Sequence, residues 1–254
     1  QHIRNTTINY INNLFKEIPN TKIFISPGNH DPYLNNSIYA NFNWNNNVII
    51  FNSNIKKYSY EDVDIYGYGF TDFYCENSII NNLKIENKNK INILVMHANL
   101  DQISDKKYNE VKTKDLDKLE FDYIALGHIH KRNFDDSMQE NIIYPGSTLA
   151  LGFDEQGKHG IIEGEINNKD LKLKFIPLDE KEFNIINLDV TEIISKEELI
   201  EKINNLELIE NNYYEIIFVG RRNFEINKYE INKFIIKNNV IKLKDNTKIN
   251  IDIN

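Results

Sequence analysis

Four of the six histidines stand in three places of one kind. His30 closes "KIFISPGNH", His97 closes "INILVMH", and His128 and His130 close "FDYIALGHIH". Each follows an apolar run that reads as a buried strand. Imidazole is a good ligand for Mn, Fe and Zn. In an open α/β sheet the carboxyl ends of the strands form one rim, so histidines from sequence-distant loops can meet there. In "GHIH" the spacing is i and i+2. An extended segment would point both rings to one side and turn Ile129 to the core. Gly127, just before them, permits an unusual backbone angle and a close approach. In "GNHD" the Asn29 carbonyl oxygen is a hard neutral donor, and Asp31 can hold His30 charged and oriented.

Each piece has a plainer explanation. Pro, Gly, Asn and Asp are turn residues, so "PGNHD" can be a simple turn. A lone histidine at a strand end is more often capped or packed than a ligand. What carries the metal reading is the coincidence of three such places, each after a strand. His2 and His159 lack that context and read as solvated or structural.

The elements that must position these groups follow from periodicity. Ile8, Ile11, Leu14, Phe15 and Ile18 have helical spacing, ended by Pro19-Asn20. "TKIFIS", "VIIF", "IKKYSY", "VDIYGYGF", "INILVMH" and "FDYIALG" read as strands. "SIINNLKI" and "TKDLDKLE" read as helices, and "GIIEGEI" and "LKLKFIPL" as alternating strands. The texture changes near Glu180. "FNIINLDV" and "NYYEIIFVG" then read as strands, with "SKEELIEKINNL" and "NKYEINKFIIKN" as helices. Helix, strand and functional loop in that order make an α/β pattern. The expected organisation is a first domain over 1–179 and a smaller α/β domain over 180–254.

Composition narrows the function classes. The net charge is −8, which repels polyanions at long range. A nucleic-acid substrate would then need a local patch, a bound metal or a partner. Lys131-Arg132 and Arg221-Arg222 are candidate phosphate contacts, although solvated surface charge explains each as well. With one cysteine, Cys75, there is neither a disulfide framework nor a cysteine zinc site. No apolar run approaches the roughly 18 residues that cross a bilayer. "QHIRNTTINY" has no apolar signal region. A cytoplasmic location is expected. Of the 14 Tyr and 14 Phe, most should be core, and Tyr33 beside "GNHD" is the one placed to stack on an unpaired base.

"GNHD", "VMH" and "ALGHIH" resemble the last three blocks of the calcineurin-like metallophosphoesterases. "DYIALGHIHK" followed by "YPGSTLALGFDEQGKHG", with "PGNHDPY" and "DIYGYGF", resembles the SbcD/YhaO type of DNA repair exonuclease within them. The resemblance spans about residues 5–165. It implies a four-layer α-β-β-α sandwich, incomplete at its N-terminus, with a smaller α/β capping domain. It also implies two divalent ions, usually Mn²⁺. Asn29, His97 and His128 would ligate one ion, and His130 would contribute to the other. His30, paired with Asp31, would contact the phosphate. The implied partners are DNA, an SMC-like ATPase and a second copy in a homodimer. A cap favours a polymer substrate, which it can hold and orient. A small nucleotide or phosphoester, mildly favoured by the acidic charge, is the alternative enzyme reading, and a scaffold that docks the ATPase is the non-enzymatic one.

The sequence departs from the family pattern in one respect. No Asp stands two residues before a His, and no Gly precedes an Asp. The family's opening Asp-x-His and Gly-Asp blocks, which supply ligands and a bridging carboxylate, are therefore missing. The expectation is that they lie upstream, that one ion site is incomplete, and that this chain alone turns over slowly or not at all.

Overall fold

The computed structural model describes residues 3–101, 107–137 and 140–250. The chain divides into two compact units, one of 1–147 with 161–176, the other of 148–160 with 177–254. The architecture is mixed α/β with parallel pairing, as expected.

In the first unit, α1 (Asn5–Glu17) leads into β1 (Ile23–Ile25), and α2 (Ile38–Asn41) separates it from β2 (Val48–Ile50). β1 and β2 pair in parallel, Ile23 opposite Val48. Asn47 fastens this turn: its Nδ2 donates to the carbonyls of Phe15, Ile18 and Thr21 at 2.9–3.1 Å. Next come β3 (Lys56–Ser59), β4 (Val63–Gly67), β5 (Ile91–His97), β6 (Asn99–Leu100), β7 (Glu110–Val111), α3 (Thr113–Asp117), β8 (Tyr123–Gly127) and β9 (Ile142–Ile143). The main sheet has the order β3-β4-β5-β8-β9. Only the β3–β4 pair is antiparallel, and β4, β5, β8 and β9 run parallel. β10 (Gly160–Asn167) and β11 (Asp170–Pro177) form a hairpin. Its two loop residues, Asn168 and Lys169, have φ of 48° and 70°. Two left-handed loop residues match the twist of a two-residue hairpin.

The alternation of β5 sorts its side chains. Asn92, Leu94 and Met96 are buried with Leu116, Ile124 and Leu126. Ile91, Ile93, Val95 and His97 therefore share the opposite face. The helix expected over 78–85 is a single 3-10 turn, Ile79–Asn82. β-branched Ile and paired Asn are poor helix formers, and Ile80 and Leu83 are satisfied by burial alone.

The second unit holds β12 (Phe183–Asp189), α4 (Lys196–Asn204), β13 (Tyr213–Val219), β14 (Arg221–Arg222), α5 (Lys228–Asn232), β15 (Val240–Asp245) and β16 (Lys248–Ile249). β12, β13 and β15 form a parallel sheet in that order. Leu199, Ile203, Ile216, Phe218 and Ile231 are its sealed core. Ser195 caps α4 by accepting from Glu198 N at 3.2 Å, and Glu198 accepts back from Ile194 N at 3.0 Å. This reciprocal arrangement satisfies two orphan donors. The helical run expected over 227–238 closes after five residues. Among the described residues no helix is long and apolar enough to cross a membrane.

Candidate metal centre

β5 ends on His97, the last residue of the face opposite the core. The register sets Gly127 of β8 directly beside it. A Cβ at Gly127 would lie 3.2 Å from His97 Nδ1, and one at Gly28 would lie 2.5 Å from Cε1 and 2.6 Å from Nδ1. The imidazole is thus held between two glycines. Phe70 meets the same ring edge-on, with centroids 5.2 Å apart. The Gly of "PGNH" is there for close approach, since any side chain would occupy the ring's place.

The "GNHD" turn is closed by its own aspartate. Asp31 Oδ1 accepts from Gly28 N at 3.0 Å, and Asp31 N donates to Gly28 O at 3.3 Å. Asp31 Oδ2 accepts from the Tyr39 hydroxyl at 2.5 Å. Burial and the neighbouring Asp31 hold the Tyr39 phenol well above its ordinary range, so it stays a donor. The sequence suggested His30 as the partner of Asp31, and the structure shows Gly28 and Tyr39 as its hydrogen-bond partners. Both carboxylate oxygens are engaged within the loop and its following helix, and no His30–Asp31 hydrogen bond occurs among the described residues. His30 itself is exposed.

"GHIH" is also arranged differently from the extended expectation. The strand stops at Gly127, and the unusual backbone angle falls on His128, with φ of 113°. A non-glycine residue there is strained and must be held by its surroundings. Two residues on, the "YPGS" loop packs against the backbone. Gly146 has φ of 80°, and a Cβ on it would meet His130 O at 2.6 Å. Ser147 N donates to His130 O at 2.9 Å. Ile129 packs on the core, as expected.

Three donor atoms converge. His97 Nε2 lies 2.9 Å from Asn29 Oδ1 and 3.1 Å from His128 Nδ1. Asn29 is 8% exposed, so its amide is committed to this spot rather than to water. Burial pushes the His97 imidazole down to about 3, helped by His128, His30 and His130. Burial, then His130 and His30, lowers His128 too. Protonation is therefore resisted, and the ring nitrogens keep lone pairs to offer. Cis ligands at about 2.1 Å from one ion are separated by about 3 Å. The observed separations match that edge length, so the donor set fits one divalent cation in part. Two imidazoles and an amide make the set. Among the described residues no three His, Cys, Asp or Glu side chains gather into a cage. His130 is exposed and disfavours protonation of both rings.

Other supports had no signal in the sequence. Asn109, fully buried with φ of 52°, donates from Nδ2 to His97 O at 3.0 Å and accepts from Ile79 N at 3.2 Å. In so asparagine-rich a chain a lone Asn does not stand out. Tyr108 lies with its ring 5.2 Å from that of His128. Arg132 is committed to packing: its guanidinium lies 4.0 Å over the Phe175 ring, and Nη1 donates to Phe134 O at 3.3 Å.

The family model of the calcineurin-like phosphoesterases matches residues 3–132, which include Asn29, His30, His97, His128 and His130. The chain is also 37% identical over 78 residues to the uncharacterized metallophosphoesterase YhaO of Bacillus subtilis (strain 168). That match covers 31% of this chain and 19% of that relative.

Proposed function

The chain belongs to the calcineurin-like phosphoesterase family, whose members are metal-dependent phosphoester hydrolases, and from that premise we propose that it serves the hydrolysis of phosphodiester bonds in DNA. The observation that carries the reading is the approach of His97 Nε2 to Asn29 Oδ1 at 2.9 Å and to His128 Nδ1 at 3.1 Å. These three would hold one divalent cation, proposed to be Mn²⁺, and His130 would contribute to a second. When bound, such a cation polarises a phosphoryl oxygen and lowers the pKa of water. The chain's own groups do the rest. Gly28, Gly127 and Phe70 fix the plane of the His97 ring. Burial keeps it neutral and free to donate its lone pair. His30, which is exposed, would meet the phosphate and give a proton to the leaving oxygen.

DNA as substrate, a repair nuclease role and an SMC-like ATPase partner rest on the likeness of "DYIALGHIHK" and the "YPGS" segment to the SbcD/YhaO type. The net charge of −8 favours the alternative of a small nucleotide substrate. The absence of the family's Asp-x-His and Gly-Asp patterns from this sequence leads us to expect weak turnover by this chain alone.

Calorimetric titration with Mn²⁺ tests the centre. We expect binding by the 254-residue chain and its loss in Asn29→Ala, His97→Ala and His128→Ala. A wild-type chain that binds no divalent cation, or variants that bind as well as it does, would refute the assignment. Mn²⁺-dependent cleavage of bis(p-nitrophenyl) phosphate should be slow, and rapid turnover would show that the carboxylate blocks are dispensable. Gel shifts with single-stranded and duplex ends separate a DNA substrate from a small nucleotide.

A further inference from the structure

We propose that a polar pocket beside the candidate metal centre binds the nucleoside part of a phosphoester substrate. The proposal rests on the reading above and adds a second recognition element to it. The cavity, of about 320 Å³, is lined by Tyr33, Leu34, Asn35, Asn52, Ser53 and Thr71. That size falls within the range of small-molecule pockets.

The lining decides the class of ligand. None of its side chains is charged, so a phosphate has no reason to settle there. Two carboxamides, two aliphatic hydroxyls and a phenol supply donors and acceptors in a small space. Most of these are unspent. Among the described residues no intramolecular hydrogen bond engages the side chains of Tyr33, Asn35, Ser53 or Thr71. Asn52 Oδ1 accepts from Asn54 N at 3.3 Å, which leaves its Nδ2 available. A carboxamide matches the edge of a nucleobase, offering a donor and an acceptor side by side. An aromatic ring gives a base a face to stack on. A neutral, flat, heteroatom-rich group with a hydroxylated sugar is what this combination recognises.

The placement gives the pocket its relevance. Asn52 and Ser53 follow the carboxyl end of β2, and Tyr33 follows the turn that carries Asn29. Tyr33 N donates to Phe70 O at 2.7 Å, and Gly69 N donates to Asn52 O at 2.9 Å. Phe70 is also the residue whose ring packs on His97, and Thr71 follows it directly. The pocket wall and the wall of the metal centre are thus one stretch of backbone. A phosphoester held at the centre would present its nucleoside to this pocket.

Saturation-transfer NMR with 2′-deoxyadenosine, without metal or phosphate, tests the pocket alone. We expect transfer to the base protons in the wild-type chain and in His97→Ala. The affinity should fall about 5-fold or more in Tyr33→Ala, the size of one lost base–aromatic stack, and in Asn52→Ala, through lost hydrogen bonds to the base edge, and Tyr33→Phe should retain it. These side chains are exposed or partly so, and unchanged melting curves would show that the variants fold. No transfer in the wild type, transfer that survives both alanine variants, or equal transfer to deoxyribose alone would overturn the proposal. Absence of transfer while Mn²⁺ still binds would sink the pocket and leave the metal centre standing. Loss of Mn²⁺ binding with transfer retained would do the reverse.

Discussion

Each unit has a parallel sheet, and each brings polar residues to the carboxyl ends of its strands, but the two rims are built to opposite ends. In the second unit the rim groups satisfy one another. Asp189 Oδ1 accepts from Thr191 N at 2.9 Å and Thr191 Oγ1 at 2.6 Å. Asp245 Oδ1 repeats the pattern with Thr247 at 3.0 Å and 2.6 Å. Arg222 Nε donates to Thr247 Oγ1 at 2.8 Å, and its Nη1 to Phe224 O at 2.6 Å. Arg222 Nη2 also lies 3.7 Å from Asp245 Oδ2, so the turns at Asp189 and Asp245 are closed by their own side chains. In the first unit the rim groups are pressed together around one shared nitrogen, His97 Nε2. Two imidazoles and an amide oxygen face one another, and a single Nε2–H is the most that His97 can offer to both neighbours. One nitrogen shared between two neighbours leaves lone pairs that a cation can take up. The same topological edge thus yields a structural clasp in one unit and a receptive centre in the other.

The sharpest way to break this contrast is His97→Ala. Removing a donor should lower Mn²⁺ affinity by more than about 100-fold, beyond what loss of an outer support causes, while melting of the second unit stays unchanged. Calorimetry and thermal denaturation read the two effects separately. Next in size is Gly28→Ala. The new methyl would sit 2.5 Å from the His97 ring, so the ring must move. Affinity should fall about 10–100-fold, with about 1–3 kcal/mol of stability lost to overpacking. Unchanged metal affinity would mean that the glycine clamp does not set the ring.

Arg222→Ala probes the other rim. It should cost about 1–2 kcal/mol in urea denaturation, through the lost bonds to Thr247 and Phe224, and leave Mn²⁺ binding as it was. A change in metal affinity would mean that the rims are not independent. The gentlest test is pH. The folded His97 titrates near 3, and an unfolded imidazole near 6.5. Between those values the unfolded state takes up a proton that the folded state refuses. Stability is therefore fully present above about 6.5 and declines as pH falls toward about 3. Urea midpoints at pH 7 and pH 4 should diverge less in His97→Gln than in the wild type. Equal divergence in both would show that the ring is not held neutral by its site.

Much of this was legible along the chain. The apolar run of "INILVMH" marked the strand and the histidine at its end, and β5 runs over those residues. The run "SKEELIEKINNL" marked a helix, and α4 falls within it. The short 3-10 turn at Ile79–Asn82 was not legible as such, because local propensity cannot say when burial alone satisfies an apolar run. Nor was the partner of Asp31. Asparagine, aspartate and turn residues have many local hydrogen bonds open to them, and which one forms depends on what packs alongside.

By itself the sequence determined which residue types end which strands, and hence that imidazoles and an amide would be offered at sheet edges. Only the tertiary structure decided that they meet. His97 is separated from Asn29 by 68 residues and from His128 by 31, and no local pattern encodes contacts at that range. The parallel register of β5 and β8 brings Gly127 beside His97. The loop at Gly146 packs against the backbone of His130, two residues beyond His128, which has a backbone angle it would not adopt unaided. A strained conformation persists only when packing over-determines it, and that packing belongs to the fold as a whole.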